Sequence, residues 1–141
     1  MRRSFFFLTL LGSFLPLSLA AAVLKVDVKG LASDRGDVHV ALYDTPAAFP
    51  DSDGMIIETK VLVHSGMARA VFDGLKPGRY AVAVYHDENG NHSFDQGIFG
   101  IPLEAYGFSS GARAFFAAPS FEAAAFDVAE PETRIVIRLN D

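Results

Sequence analysis

The stretch "HDENGNHSFD", residues 86–95, concentrates side chains that can hold a cation. Oxygens of Asp87, Asn89, Asn91 and Asp95 alternate along it, the way a short loop wraps a hard ion such as calcium. The spacing departs from the helix-flanked calcium loop. Gly90 is fourth rather than sixth counted from Asp87, and Ile98 stands where that loop carries its bidentate glutamate. Of the four residues only Asp87 and Asp95 bring formal charge, so calcium affinity is expected to be weak, on the order of 10⁻⁴ to 10⁻³ M. The same residue types are also the commonest turn formers. An Asx turn with Gly90 at positive φ is the competing account.

Other chemistry finds less support. His86 and His92 flank the loop and, with Asp87 and Asp95, offer zinc donors, but their spacing matches no zinc signature. His39 falls on the polar phase of a strand and His64 at a hairpin, so both are expected at the surface. The chain has no cysteine, and no serine sits in a Gly-x-Ser-x-Gly elbow. Ser109 and Ser110 in "GFSSG" have no base nearby in sequence. No catalytic residue is therefore assigned. A hydrolase with a site near His86, Asp87 and Glu104 is the alternative, and it requires His86 and Glu104 to share a concave pocket.

The elements that must position this loop read as strands. Leu24, Val26 and Val28 alternate with Lys25, Asp27 and Lys29, and "DVHVALYD" alternates again with Val38, Val40 and Leu42 on one side. In "TPAAFPDSDG", Thr45 suits the cap of a single helical turn with Pro46 at its first position. Residues 56–64 and 67–72 read as a hairpin around "HSG", and Tyr80, Val82 and Val84 mark the strand that enters the loop. Beyond it, "QGIFGIPLEAYGFSSG" has neither period. Residues 113–116 read as a short strand, Ser120 as the cap of a short helix, and Ile135, Ile137 and Leu139 as a last alternating strand. About seven strands separated by turn chemistry indicate an all-β antiparallel sandwich with a long irregular loop before the last strands. Phe99, Tyr106, Phe108, Phe115, Phe116, Phe121 and Phe126 crowd that loop, forming either a satellite core or a partner-binding patch.

The N-terminus has the plan of a secretory signal. Arg2 and Arg3 precede an apolar run from Phe5 to Leu15, Pro16 breaks it, and Ser18, Ala20 and Ala22 come after. Cleavage is expected after Ala20 or Ala22, leaving residues 23–141 as one sandwich domain without a membrane span. Roughly 120 residues support one sizeable core. Removing Arg2 and Arg3 takes the formal charge from −5 to −7, and an acidic domain without a basic cluster excludes nucleic acid as partner. No disulfide is available, so apolar burial alone must stabilise the fold.

In "FDGLKPGRYAVAVYHDENGN", the pattern Gly-Leu-x-Pro-Gly-x-Tyr-x-Val resembles the strand entry of transthyretin-like and collagen-adhesin B-type sandwich domains. A longer run is similar to the secreted bacterial domain-of-unknown-function family 2141. That family's motifs are His-Asp-x-Asn-Gly-Asn, Gly-x-Pro-x-Glu-x-Tyr-Gly-Phe-Ser and Pro-x-Phe-x-x-Ala-x-Phe. They stand here in order at His86–Asn91, Gly100–Ser109 and Pro119–Phe126. His92 and Ser93 replace the glycine and lysine that members often carry. The resemblance implies an immunoglobulin-like or transthyretin-like topology and no activity. The transthyretin-like ureide hydrolases end in Tyr-Arg-Gly-Ser, whereas this chain ends in "TRIVIRLND". The expectation is an exported, periplasmic or extracellular monomer. It would act as a non-catalytic binding or interaction module of the cell envelope for an envelope protein or small ligand, with no certain cofactor and calcium as the ion its loop best suits.

Overall fold

The computed structural model describes residues 20–139, so the expected signal segment falls almost wholly outside the described residues. Period-two alternation becomes eight strands. They are β1 (Ala22–Lys29), β2 (Asp37–Tyr43), β3 (Ile57–Leu62), β4 (Met67–Leu75), β5 (Gly78–Asp87), β6 (Tyr106–Phe108), β7 (Phe126–Val128) and β8 (Glu132–Arg138). One sheet has the order β4-β1-β8. The other runs β3-β2-β5-β6, with β7 also paired to β5. Leu24, Val26 and Val28 of the first sheet meet Val38, Val40, Val82 and Val84 of the second in a core that excludes water. Burial of that apolar surface is the main stabilising term in a chain without disulfides. Among the described residues no helix is long and apolar enough to cross a membrane.

The sandwich departs from the sequence reading in its connections. β3 and β4 do not form a hairpin ladder: β3 pairs with β2 and β4 with β1, so the chain crosses between sheets there. Only the bridge between His64 and Met67 survives at the turn. A glycine turn between two alternating runs looks the same whether the second run folds back or crosses over. β8 lies parallel to β1, Val26 opposite Ile135, while the other ladders are antiparallel. It arrives from β7 in the opposite sheet, so no tight turn dictates its direction. The short helical turn falls at Ser52–Gly54 rather than after Thr45. Residues 113–116 form no strand, only a bridge between Phe115 and Ala117. Ser120 does cap a helix: α1 (Phe121–Ala124) begins with the Ala123 amide donating to Ser120 Oγ at 3.2 Å.

The second sheet is covered on both faces. Its inner face carries Val38, Val40 and Leu42. Its outer face carries His39, Ala41 and Tyr43 on β2 and Ala81, Ala83 and Tyr85 on β5. The alanines leave room for a second core in which Tyr43, Phe108 and Phe121 each pack edge-on against Phe49. Ser109 fastens this cover. It is buried, its Oγ accepts the Val82 amide at 2.9 Å, and it also bonds the Ala124 carbonyl. A hydroxyl so engaged is structural.

Gly36 sets where β2 begins beside the end of β5. It has φ +66, and a Cβ there would collide with the carbonyl of Asp87. Gly74 has a similar φ of +71 but open space around it. Gly74→Ala should therefore cost only the left-handed backbone penalty, about 1–2 kcal/mol. Gly36→Ala should cost more, because the backbone at Asp87 must also move. Urea midpoints of the two variants check this, and equal losses would contradict it.

Candidate functional site

β5 ends at Asp87, which is fully buried, and the chain reverses around its carboxylate. Oδ1 accepts the amides of Gly90 at 2.7 Å and Asn91 at 3.2 Å, and Oδ2 accepts the amide of His92 at 2.7 Å. Gly90 and His92 hold positive φ, at 69° and 63°. Asn89 Oδ1 accepts the Asn91 amide, and Asn91 Oδ1 accepts the Ser93 amide, so Asx turns are nested one within the next. Asn89 and Asn91 then donate their side-chain amides to Asp95. The four residues singled out in the sequence do converge, and their bonds are spent on one another and on backbone. Burial pushes the Asp87 carboxyl up, but the three amides outweigh it and hold the group below its ordinary value.

A second cluster lies against this turn on the outer face of the sheet. In the β2–β5 ladder Asp37 sits opposite Asp87 and His39 opposite Tyr85. His39 is 2% exposed rather than at the surface, because the polar phase of β2 faces the covering segment instead of water. Its ring stacks on Tyr85 at 4.4 Å. Its Nδ1 lies 2.8 Å from Glu58 Oε1 and 2.9 Å from the Tyr85 hydroxyl. A carboxylate only accepts, so Nδ1 donates to Glu58 and Nε2 is left to the opposite edge of the ring. Nε2 faces Asp37 Oδ1 at 3.1 Å and Asp87 Oδ2 at 3.6 Å, and His92 Nδ1 lies 3.7 Å from Asp87 Oδ2.

The surroundings are strongly anionic. Glu58, Asp95 and Glu104 join Asp37 and Asp87, and among the described residues no lysine or arginine pairs with any of the five. Burial first, then the charges of Glu58, Asp87, Glu104 and Asp37, hold the Tyr85 phenol well above its ordinary value. Sequence reading missed Asp37 and His39 as partners of the loop. The available signal was "DVH": an acid and a histidine two apart on a strand share one face.

His86 points the other way. Its Nε2 donates to the Arg35 carbonyl at 2.7 Å and its Nδ1 lies 3.8 Å from Glu88 Oε1, all at 1% exposure. The structure therefore does not gather His86, His92, Asp87 and Asp95 into one donor set. His86 and Glu104 do line a common cleft of about 550 Å³, with Asp95 beside them. A larger cleft of about 990 Å³ opens over the outer face, with His39, Tyr85 and His92 at one end and Tyr106, Phe108 and Phe116 among its walls. The crowded aromatics thus divide. Phe108 and Phe121 are core, whereas Phe99, Phe115 and Phe116 are exposed.

Glu104 receives the Asp95 amide on Oε2 at 3.0 Å, while its buried Oε1 has no partner. Burial, with Asp87 and Asp95 adding to it, raises its pKa against the opposing bond from Asp95. A raised folded-state pKa makes the stabilising contribution greatest below the unfolded value, and it is lost as pH rises through the folded value. Glu104→Gln should therefore stabilise the protein at pH 7, with the gain shrinking toward pH 4. Urea unfolding at the two pH values measures this.

Comparison with known proteins adds one finding. No curated protein and no solved structure matches the chain. A family model matches residues 26–136, a span that takes in all or most of every strand except β1, of which it covers the second half, together with the Asp87 turn and the covering segment. The chain belongs to the family described as "Uncharacterized protein conserved in bacteria" (DUF2141).

Proposed function

We propose that this protein is an exported, non-catalytic binding module of the cell envelope that seats a small apolar or aromatic ligand in the larger cleft. The observation that carries this reading is the disposition of its rim. Phe99 is 97% exposed, Phe116 is fully exposed and Ile101 is 61% exposed, around a concave floor of Tyr85, Tyr106 and Phe108. Phe99 and Phe116 both hold positive φ, at 60° and 57°, a conformation that bulky residues rarely adopt. Backbone held in that region for no packing gain suits a presented side chain. A concave cleft of this size, lined by rings and by polar groups, fits the general form of small-molecule sites. Export rests on the N-terminal pattern of Arg2, Arg3, the apolar run and the small residues after Pro16. Cleavage after Ala20 suits it best, since Ala22 is buried and already paired with Leu75.

A hydrolase worked by His86, Asp87 and Glu104 is the second reading, and it draws on the cleft that His86 and Glu104 share. Against it, the buried ring of His86 is tied to Arg35 and both oxygens of Asp87 are bound to backbone amides. The binding reading is tested with a neutral naphthylamine probe, N-phenyl-1-naphthylamine, followed by backbone amide NMR. Shifts should concentrate at Phe94, Ile101 and Tyr106. The double variant Phe99→Ser, Phe116→Ser should weaken binding by about tenfold, a loss of roughly 1.4 kcal/mol, with its melting temperature unchanged. Shifts confined to β1, β4 and β8, or none, would remove the reading.

A further inference from the structure

We propose that Asp37, His39, Asp87 and His92 form a binding site for a single divalent transition-metal ion, zinc above all. The inference is independent of the cleft reading and stands if no organic ligand binds. One donor atom from each residue lies within 4.8 Å of all the others. Three of the six edges, 3.1 Å from His39 Nε2 to Asp37 Oδ1, 3.6 Å from it to Asp87 Oδ2 and 3.7 Å from Asp87 Oδ2 to His92 Nδ1, lie close to those of a small tetrahedron. Zinc bonds of roughly 2.0–2.1 Å place donors about 3.3–3.4 Å apart.

A second observation points to a ligand. His39 Nε2 and Asp37 Oδ1 are both buried and neither has a hydrogen-bond partner, although they lie 3.1 Å apart. Buried polar atoms are nearly always bonded, so two that face each other unbonded call for an explanation. An imidazolium at His39 would place a proton between them. The contact, however, lacks hydrogen-bond geometry. The register compounds the problem by setting Asp37 directly opposite Asp87, and like charges so placed repel. A dication between two carboxylates and two neutral imidazoles cancels the charge and uses both orphan atoms.

The supporting shell is also present. Glu58 bound to His39 Nδ1 makes the carboxylate–histidine–metal arrangement that orients the ring and raises its basicity. Tyr85 stacks on the same ring and fixes its plane. His92 is delivered by the Asp87 turn, which sets its ring 6.1 Å from that of His39. Two imidazoles favour zinc, copper or nickel over calcium, which takes six to eight oxygens.

The test uses untagged protein stripped with chelator, titrated calorimetrically with zinc chloride and, in parallel, with cobalt(II). One equivalent of zinc should bind, the imidazole NMR signals of His39 and His92 should shift, and cobalt(II) should give the intense visible bands of a tetrahedral site. His92→Ala, a change at an exposed side chain that keeps the circular dichroism spectrum, should weaken zinc at least about tenfold. Glu58→Gln should weaken it about 10- to 100-fold through the ring it orients. Absence of zinc binding, equal affinity in His92→Ala, or shifts at His64 or His86 instead would overturn the proposal. So would a melting-temperature rise in millimolar calcium, lost in Asp95→Ala and not reproduced by zinc, which would place the ion within the loop.

Discussion

The carboxylate of Asp87 closes β5 with one oxygen on the amides of Gly90 and Asn91 and the other on that of His92. A buried carboxylate without such donors would be expensive, and backbone amides in a turn without an acceptor would be equally so. Each satisfies the other. The bond set reverses the chain within five residues and directs the segment from Ser93 onward toward the outer face of the second sheet. Phe94 then packs between Tyr85 and Tyr106, and the strand pairing of Tyr85 with Tyr106 returns the chain to the sheet edge. Gly36, whose missing Cβ makes room for the Asp87 carbonyl, is the counterpart of this turn on β2.

Covering both faces of one sheet divides its outer surface into two regions of different chemistry. Toward the β2 C-terminus, Tyr43 and the small residues Ala41, Ala81 and Ala83 receive Phe49, Phe108 and Phe121, and packing is dry. Toward the other end, Asp37, His39, Tyr85 and Asp87 meet Glu58, His92 and Glu104, and charge accumulates against backbone amides and imidazoles, with no lysine or arginine paired to it among the described residues. The larger cleft runs between the two, so a molecule seated there would touch rings along its length and the imidazoles at its end.

Period-two alternation was enough to locate β1, β2, β5 and β8 and to place Val26, Val40, Val82 and Ile137 inside. It was silent on pairing. β3 and β4 keep the alternation of a hairpin while belonging to different sheets, since a strand's pattern records which side is buried and not which neighbour it bonds. β6 and β7 are three residues each, too short for a period to register, and Gly107 in β6 is there because Ile137 and the Arg138 carbonyl crowd its Cα. The turn chemistry of residues 86–95 was legible residue by residue. The role of His39 was not, because a polar residue on the polar phase reads as exposed unless a later segment is known to cover it. That segment carries no regular period, so its path over the sheet is set by tertiary contacts alone.

Amide hydrogen exchange at Gly90, Asn91 and His92 tests the central role of the Asp87 carboxylate most directly. Gly90 and His92 lie at an exposed loop surface, where unbonded amides exchange freely. The bonds to Asp87 should slow all three amides in the wild-type protein. In Asp87→Ala that protection should vanish together with the protection of Gly107 in β6, while β1 and β4 exchange as before. Equal exchange at Gly90, Asn91 and His92 in the two proteins, or uniform loss across both sheets, would contradict the account.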